Sequence, residues 1–166
     1  MIENTLLRLR RADRGDEARF LAWRNDPWIV ALGCLNRTIT AEEHRAWFTQ
    51  RIADIRHPIW VIEIAGEPSG MVRLDPSVNH IEAEISIYLM RVHCGKGNGA
   101  RVLEYAAKNA ANLGYRILHA TVRRDNVPSQ KAFLRAGYQI EPGSEYQMNL
   151  RLTLNAVTTT TLAFTT

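Results

Sequence analysis

A chain of 166 residues, 46% hydrophobic and 23% charged, has the size of one globular domain able to bury roughly 70% of its unfolded-chain surface, and it excludes a second full domain. No apolar run approaches the ~18 uninterrupted residues of a membrane-spanning helix, and residues 1–17 alternate charges with leucines instead of building the apolar centre of a secretory signal, so the expected setting is cytoplasmic, away from membranes. Twenty-one Lys and Arg against 17 Asp and Glu leave a net charge of +4, but no basic run exceeds a pair, which is weak evidence for a nucleic-acid partner. A local patch for a polyanionic small molecule gives the same balance, and composition alone does not choose between them, though no nucleic-acid partner is expected.

Residues 6–10 alternate Leu and Arg after a polar start, which predicts a short strand, and Asp13 is placed to cap the first helix. Phe20, Leu21 and Trp23 come at helical spacing within residues 16–23, and Asp26-Pro27 ends that helix, because proline disfavours helical geometry in the residue before it. Thr40 followed by Glu43 is a capping box, and Trp47, Phe48, Ile52 and Ile55 form the predicted apolar stripe of a second helix closed by Pro58. Residues 59–65 and 71–74 read as the arms of a hairpin around a turn at 66–70. In residues 81–89 the odd positions Ile81, Ala83, Ile85, Ile87 and Leu89 are apolar and the even ones are Glu82, Glu84, Ser86 and Tyr88, the period of a strand with one core face and one polar face.

Strong helix formers run from Ala100 to Leu113-Gly114; residues 115–122 read as a strand, 128–136 as a short helix stopped by Gly137, and 138–140 with 146–154 as a closing strand pair. After Arg151 the chain carries no charge and is rich in Thr, with a frayed ending expected. The element pattern predicts one mixed α/β or α+β domain, a sheet with helices packed against it. Cys34 and Cys94 make at most one bridge and share no CxxC or Cys/His spacing, and the five histidines share no ligand spacing, so reduced thiols and no metal are expected.

The densest chemical signal is the run Gly95-Lys96-Gly97-Asn98-Gly99 between a strand and a helix. Glycines let successive N–H groups turn toward one centre, and the helix start adds unpaired N–H groups and a positive dipole end, together a cradle for an anion. Tight turns of this composition also occur with no ligand. A Walker loop needs Lys and Ser/Thr after its last glycine, whereas Gly99 is followed by Ala100-Arg101. A dinucleotide fingerprint needs G-x-G-x-x-G near the first strand of a βαβ unit, and this G-x-G-x-G lies deep in the chain.

Residues 94–100 resemble the pyrophosphate loop of the GCN5-related N-acetyltransferases, the GNAT superfamily, with Cys94 where Gln or Arg is usual. Asn126, Ser129, Phe133 and Gly137-Tyr138 resemble that superfamily's Asn-x-x-Ser-x-x-x-Tyr-x-x-x-Gly-Phe signature, with Phe133 in the tyrosine position. Trp23-Arg24-Asn25-Asp26-Pro27, then Thr40 to Trp47 with Glu43 and His44, is similar to the branch containing ribosomal-protein acetyltransferases and those of nucleotide-linked amino sugars.

The resemblance spans roughly residues 6–152 and implies a single GNAT-like domain over 1–155 followed by a Thr-rich tail over 156–166, with six or seven mostly antiparallel strands flanked by about four helices. It implies an N-acetyltransferase with acetyl-CoA as donor and a small-molecule amine as acceptor, a nucleotide-linked amino sugar foremost. A protein N-terminus as acceptor and a non-catalytic acyl-CoA-binding module are the alternatives.

By the same resemblance the backbone of Ile87 and Leu89 pairs with the pantetheine arm. The loop Cys94, Gly95, Lys96, Gly97, Asn98, Gly99 and Ala100 holds the pyrophosphate, Asn126 meets the arm or fixes the strand end, and Phe133 lines the donor site.

Transfer to an amine needs a base for its proton and a proton for the leaving thiolate. Glu84 is the first choice of base, Glu82 the second or an acceptor contact, and a pair of surface carboxylates is the competing reading. Ser129 is the candidate donor or, alternatively, a helix cap, and a thiolate leaving without an assigned acid is the third reading. Trp28, His44 and Trp47 are candidate acceptor contacts beside the segment covering the site. A sheet edge and the uncharged tail leave a homodimer open.

Overall fold

Residues 6–155 are described by the structure, a computed structural model; the expected tail at 156–166 lies outside them. Seven strands, β1 (Leu7–Arg11), β2 (Ile59–Ile64), β3 (Glu67–Pro76), β4 (Glu82–Leu89), β5 (Ile117–Arg123), β6 (Gln139–Glu141) and β7 (Gln147–Thr153), form one sheet in the order β1-β2-β3-β4-β5-β7-β6. Every pairing is antiparallel except β4 with β5. The described residues also form five α-helices, α1 (Glu17–Arg24), α2 (Pro27–Leu32), α3 (Ala41–Ala53), α4 (Asn98–Asn112) and α5 (Val127–Arg135), with short 3-10 turns at Arg14–Asp16 and Arg91–His93. None of the described helices is long and apolar enough to cross a membrane.

The period of two in β4 decides which layer goes where. Ala83, Ile85 and Leu89 face the larger core, built with Val72, Leu74, Leu118 and Leu150 and closed by Val102, Leu103 and Ala106 of α4 and Phe133 of α5. The opposite face of β2 and β3 packs Val61 and Met71 against Phe20 of α1 and Phe48 of α3, with Trp23, Trp47 and Tyr88 at its rim. At about 25 cal/mol per Å² of apolar surface removed from water, these two layers supply the main stabilising term of the fold.

Several expectations change in detail. Asp26-Pro27 ends α1 as expected but also starts α2, because the Asp26 carboxylate accepts from the Trp28 N–H (2.8 Å) and Pro27 suits a first helical turn. The Thr40–Glu43 capping box forms, but α3 stops at Ala53, so Ile55 falls outside its stripe and stands 78% exposed. The hairpin turn shrinks to Ala65-Gly66, with φ of 54° and 85°, and residues 67–70 belong to β3. The even face of β4 is polar only up to Ser86, since Tyr88 joins the aromatic rim.

Candidate acyl-transfer site

β4 and β5 run parallel for only three rungs, Glu82↔Ile117, Ala83↔Leu118 and Glu84↔His119. Past the last rung β4 continues to Leu89 along β3 and β5 continues to Arg123 along β7, so the two strands part into a V. Ser77 N–H donates to the Glu82 carbonyl and Met90 N–H to the Ser69 carbonyl, which turns the peptide groups of even-numbered β4 residues toward β3; Arg116 N–H donates to the Ile81 carbonyl, turning the odd-numbered ones toward β5. Ile85, Ile87 and Leu89 therefore present their N–H and C=O groups to the gap, open to an extended ligand, while their side chains stay on the core face.

The glycine loop stands at the wide end of this V. Gly97 caps α4 with φ of 78° and no side chain, and Gly95 has φ of 73°. Among the described residues the N–H groups of 95–100 have no backbone acceptor. Uncommitted amides at the start of a 15-residue helix are a site for an anion. Asn98 is buried and spends its side chain on the loop, donating to the His93 carbonyl at 3.0 Å, so its contribution to an anion is through its backbone. Gly99 meets α5: a Cβ there lies 3.1 Å from Ala132 Cβ. The Cys94 thiol points to the carbonyls of Leu89 and Met90, and burial pushes its pKa up, with the nearby Trp28 indole opposing. Lys96 is exposed beside this cradle.

α5 begins where β5 ends. Asn126 is its N-cap, accepting from the Ser129 N–H at 3.3 Å, so the cap belongs to Asn126 and Ser129, three residues on, sits half-buried in the first turn. Phe133 is 2% exposed and meets Tyr138 edge-to-face at 4.9 Å between centroids.

On the even face of β4, Glu84 is exposed, opposite Asp75 on one side and His119 on the other. Glu82 is engaged, its carboxylate 2.8 Å from His119 Nε2, and Glu141 approaches the other ring nitrogen at 3.8 Å. Next along the strand, Tyr88 meets Trp23 edge-to-face at 6.3 Å, and Arg73, opposite Ser86, lies over Trp47 at 5.4 Å. Burial raises the Tyr88 hydroxyl pKa, partly offset by Arg73 and Arg24. Arg91 lies over Trp28 at 5.1 Å, and Arg123 donates to the Ala31 carbonyl at 2.9 Å, tying the end of β5 to α2. The sequence reading missed Arg73, Tyr88 and His119, which strand pairing sets beside β4, and Arg24, which the packing of α1 on the sheet brings near Arg73 and Tyr88.

His44 departs from its expected place. Its ring is 2% exposed, stacked on Phe48 at 5.6 Å with both nitrogens buried and unpartnered, so it is a core residue with no edge to offer an acceptor. Trp28 and Trp47 keep partly exposed rims.

The profile of the acetyltransferase (GNAT) domain matches residues 7–139. "Putative phosphinothricin acetyltransferase YwnH" of Bacillus subtilis (strain 168) is 32% identical over 106 residues, 60% of this chain and 63% of that protein, so the match spans less than two thirds of that relative. Among solved structures, spermidine N-acetyltransferase from Vibrio cholerae, in complex with CoA and spermine, superposes with a TM-score of 0.76 at 22% identity over 87% of this chain and 92% of that one. The Salmonella typhimurium protein yncA with its cofactor acetyl-CoA does so with a TM-score of 0.72 at 21% identity, covering 92% and 96%. The seven-stranded sheet parted at β4 and β5, the glycine loop opening α4 and the profile match over most of its length establish that the chain belongs to the GNAT acetyltransferase family.

Proposed function

We propose that this protein is an acetyl-CoA-dependent N-acetyltransferase that moves an acetyl group to a primary amine of a small molecule. The observation that carries the reading is the V between β4 and β5, with unpaired peptide groups along one wall and uncommitted amides at its wide end. Ile87 and Leu89 pair their backbone with the pantetheine arm, residues 95–100 hold the pyrophosphate through N–H groups with Lys96 adding charge, and Asn126 and Ser129 border the arm from α5. The Cys94 N–H is spent on the Arg91 carbonyl at 3.1 Å, and Phe133, expected to line the donor site, is instead buried against Tyr138 and backs that wall from the core. Acetyl-CoA, when bound, supplies an activated thioester carbonyl.

The chemistry then needs little from the protein beyond position and two proton sites. A neutral acceptor amine forms the C–N bond at the carbonyl carbon as the C–S bond breaks; its surplus proton passes to Glu84, directly or through water, and the departing thiolate takes a proton from Ser129 or from solvent. Glu84 suits the base because it is exposed at the last β4–β5 rung, whereas Glu82 is held by His119. One relative is named for phosphinothricin and another for spermidine, the latter in complex with spermine; the likeness of the Trp-Arg-Asn-Asp-Pro segment and of the helix opened by Thr40–Glu43 keeps a nucleotide-linked amino sugar beside them as a candidate.

Thiol release from acetyl-CoA, followed with a panel of nucleotide-linked amino sugars, polyamines, aminoglycosides, amino acids and N-terminal peptides, tests the reading, with mass spectrometry of the products. The expected result is release coupled to acetylation of a small amine. Acetylation of peptides alone would reassign the acceptor to proteins, and release with none of the panel would leave a binding module.

A further inference from the structure

We infer that the acceptor is an amine that also carries an acidic group, a phosphate or a carboxylate, and that Arg24 is the ion-pair partner of that acid, with Arg73 and the Tyr88 hydroxyl beside it. This rests on the proposed acyl-transfer function and narrows its substrate class.

Arg24 closes α1, next in sequence to Trp23, which packs on Tyr88. Its side chain is half-buried, and among the described residues it has neither a hydrogen bond nor a carboxylate partner. A guanidinium keeps its charge in proteins, and a partly desolvated cation without a counter-ion is a costly arrangement that an anion from solution relieves.

The surrounding groups do not neutralise it. Arg73 and Arg37 both oppose its charge, and its remaining electrostatic neighbour, the Tyr88 hydroxyl, is held protonated by burial and supplies no negative charge. Arg73 is held by Asp75 at 2.9 Å, and that carboxylate is shared with Arg51 at 2.6 Å; Arg37 is paired with Glu43 at 3.0 Å. The nearby carboxylates are thus spent on other cations, and Arg24 keeps an unanswered charge.

The segment holding Arg24 is fixed: the Asn25 amide donates to the Ile39 carbonyl and accepts from the Ile39 N–H, both at 2.8 Å, which locks the end of α1 to the chain 14 residues on. Arg73 stands opposite Ser86, midway along β4 between Tyr88 and Glu84, so an acid at the arginines leaves an attached amine directed toward the last rung of the V. A polycation meets two arginine charges at this place, which sets the cleft against polyamines and aminoglycosides and in favour of anionic amines.

The test compares matched acceptors on the full chain with acetyl-CoA: glucosamine 6-phosphate against glucosamine, a nucleotide-linked amino sugar against its free sugar, methionine against methioninamide, and spermidine and kanamycin as polycations. Calorimetric binding of each to the CoA-loaded protein is measured alongside turnover. The acidic member of at least one pair is expected to win by roughly 10–100-fold in kcat/KM, the size of a charge-assisted hydrogen bond, and the pair that responds separates phosphate from carboxylate.

Arg24→Gln is expected to remove that preference mainly through KM, and Arg24→Lys to restore part of it, with melting curves showing both variants folded. Equal use of acidic and neutral members, preference for spermidine or kanamycin, or a preference untouched by Arg24→Gln overturns the inference while leaving acyl transfer standing. No turnover with any amine overturns acyl transfer; the inference then falls too if the acidic members bind no tighter than the neutral ones.

Discussion

The carboxylate of Glu82 and Nε2 of His119 are 2.8 Å apart, a pairing that crosses from β4 to β5 at the narrow end of the V and separates two acidic residues that look equivalent in the sequence. Glu82 is held in a polar chain with His119 and, beyond it, Glu141, while Glu84 at the last rung has no hydrogen-bond partner among the described residues and stays open to solvent. Glu84→Gln is therefore expected to lower kcat by roughly 10²–10⁴-fold with acetyl-CoA affinity nearly intact. Glu82→Gln, which keeps a polar partner for His119, is expected to cost less than tenfold. Steady-state rates across pH check both, and an unaltered profile in Glu84→Gln would move the base to Glu82 or to water.

Two glycines of the loop separate binding from packing. Gly97 has φ of 78° with open space where a Cβ would sit, so Gly97→Val strains the backbone by about 1–2 kcal/mol without a clash and is expected to weaken acetyl-CoA binding by distorting the amide cradle. Gly99 carries no such φ but lies against Ala132, so Gly99→Val is expected to push α4 from α5 and destabilise the fold by about 1–3 kcal/mol. Calorimetry with acetyl-CoA and denaturant curves distinguish the two effects.

Ser129 and Phe133 test the source of the leaving-group proton. Ser129 lies in the first turn of α5, and Phe133 faces Tyr138 inside the core. Ser129→Ala is expected to slow single-turnover transfer at least tenfold. Phe133→Tyr is expected to bring no gain and to lower stability by about 1–3 kcal/mol, because its hydroxyl enters an apolar contact. A wild-type rate in Ser129→Ala would remove Ser129 from the mechanism, and a faster Phe133→Tyr would place a donor at residue 133.

His44 gives the fold a pH dependence. Burial lowers its pKa from the ordinary 6.5, so the folded chain binds the proton less readily than the unfolded one. The stability this neutral ring contributes is full above pH 6.5 and is lost as pH falls below it, toward the lowered value of the folded state. His44→Leu, which fills the site without an unpartnered nitrogen, is expected to flatten that slope and to raise stability at pH 5. Denaturant midpoints at pH 8 and pH 5 for both chains are the measurement; equal slopes would show that His44 finds a proton acceptor on protonation.

Local signals fixed by one stretch of chain were legible in the sequence. The capping box Thr40–Glu43, the stops at Gly114 and Gly137, the alternation of β4 and the glycine loop before α4 each depend on backbone geometry within a few residues, and each formed. The resemblance carried by residues 94–100 and 126–138 reached the family for the same reason, since those motifs are contiguous.

What the tertiary structure decided was which residues meet across elements. That His44 is core and Arg24 is half-buried and unanswered depends on how α1 and α3 lie on the sheet, and a helix sequence alone does not say which of its polar residues that packing will enclose. That Glu82 is spent and Glu84 is free depends on the register of β4 against β5, a contact between residues 37 positions apart. The V itself is a property of two strands that pair for three rungs and then part, each held by a different neighbour, and neither strand's sequence records where its partner leaves it.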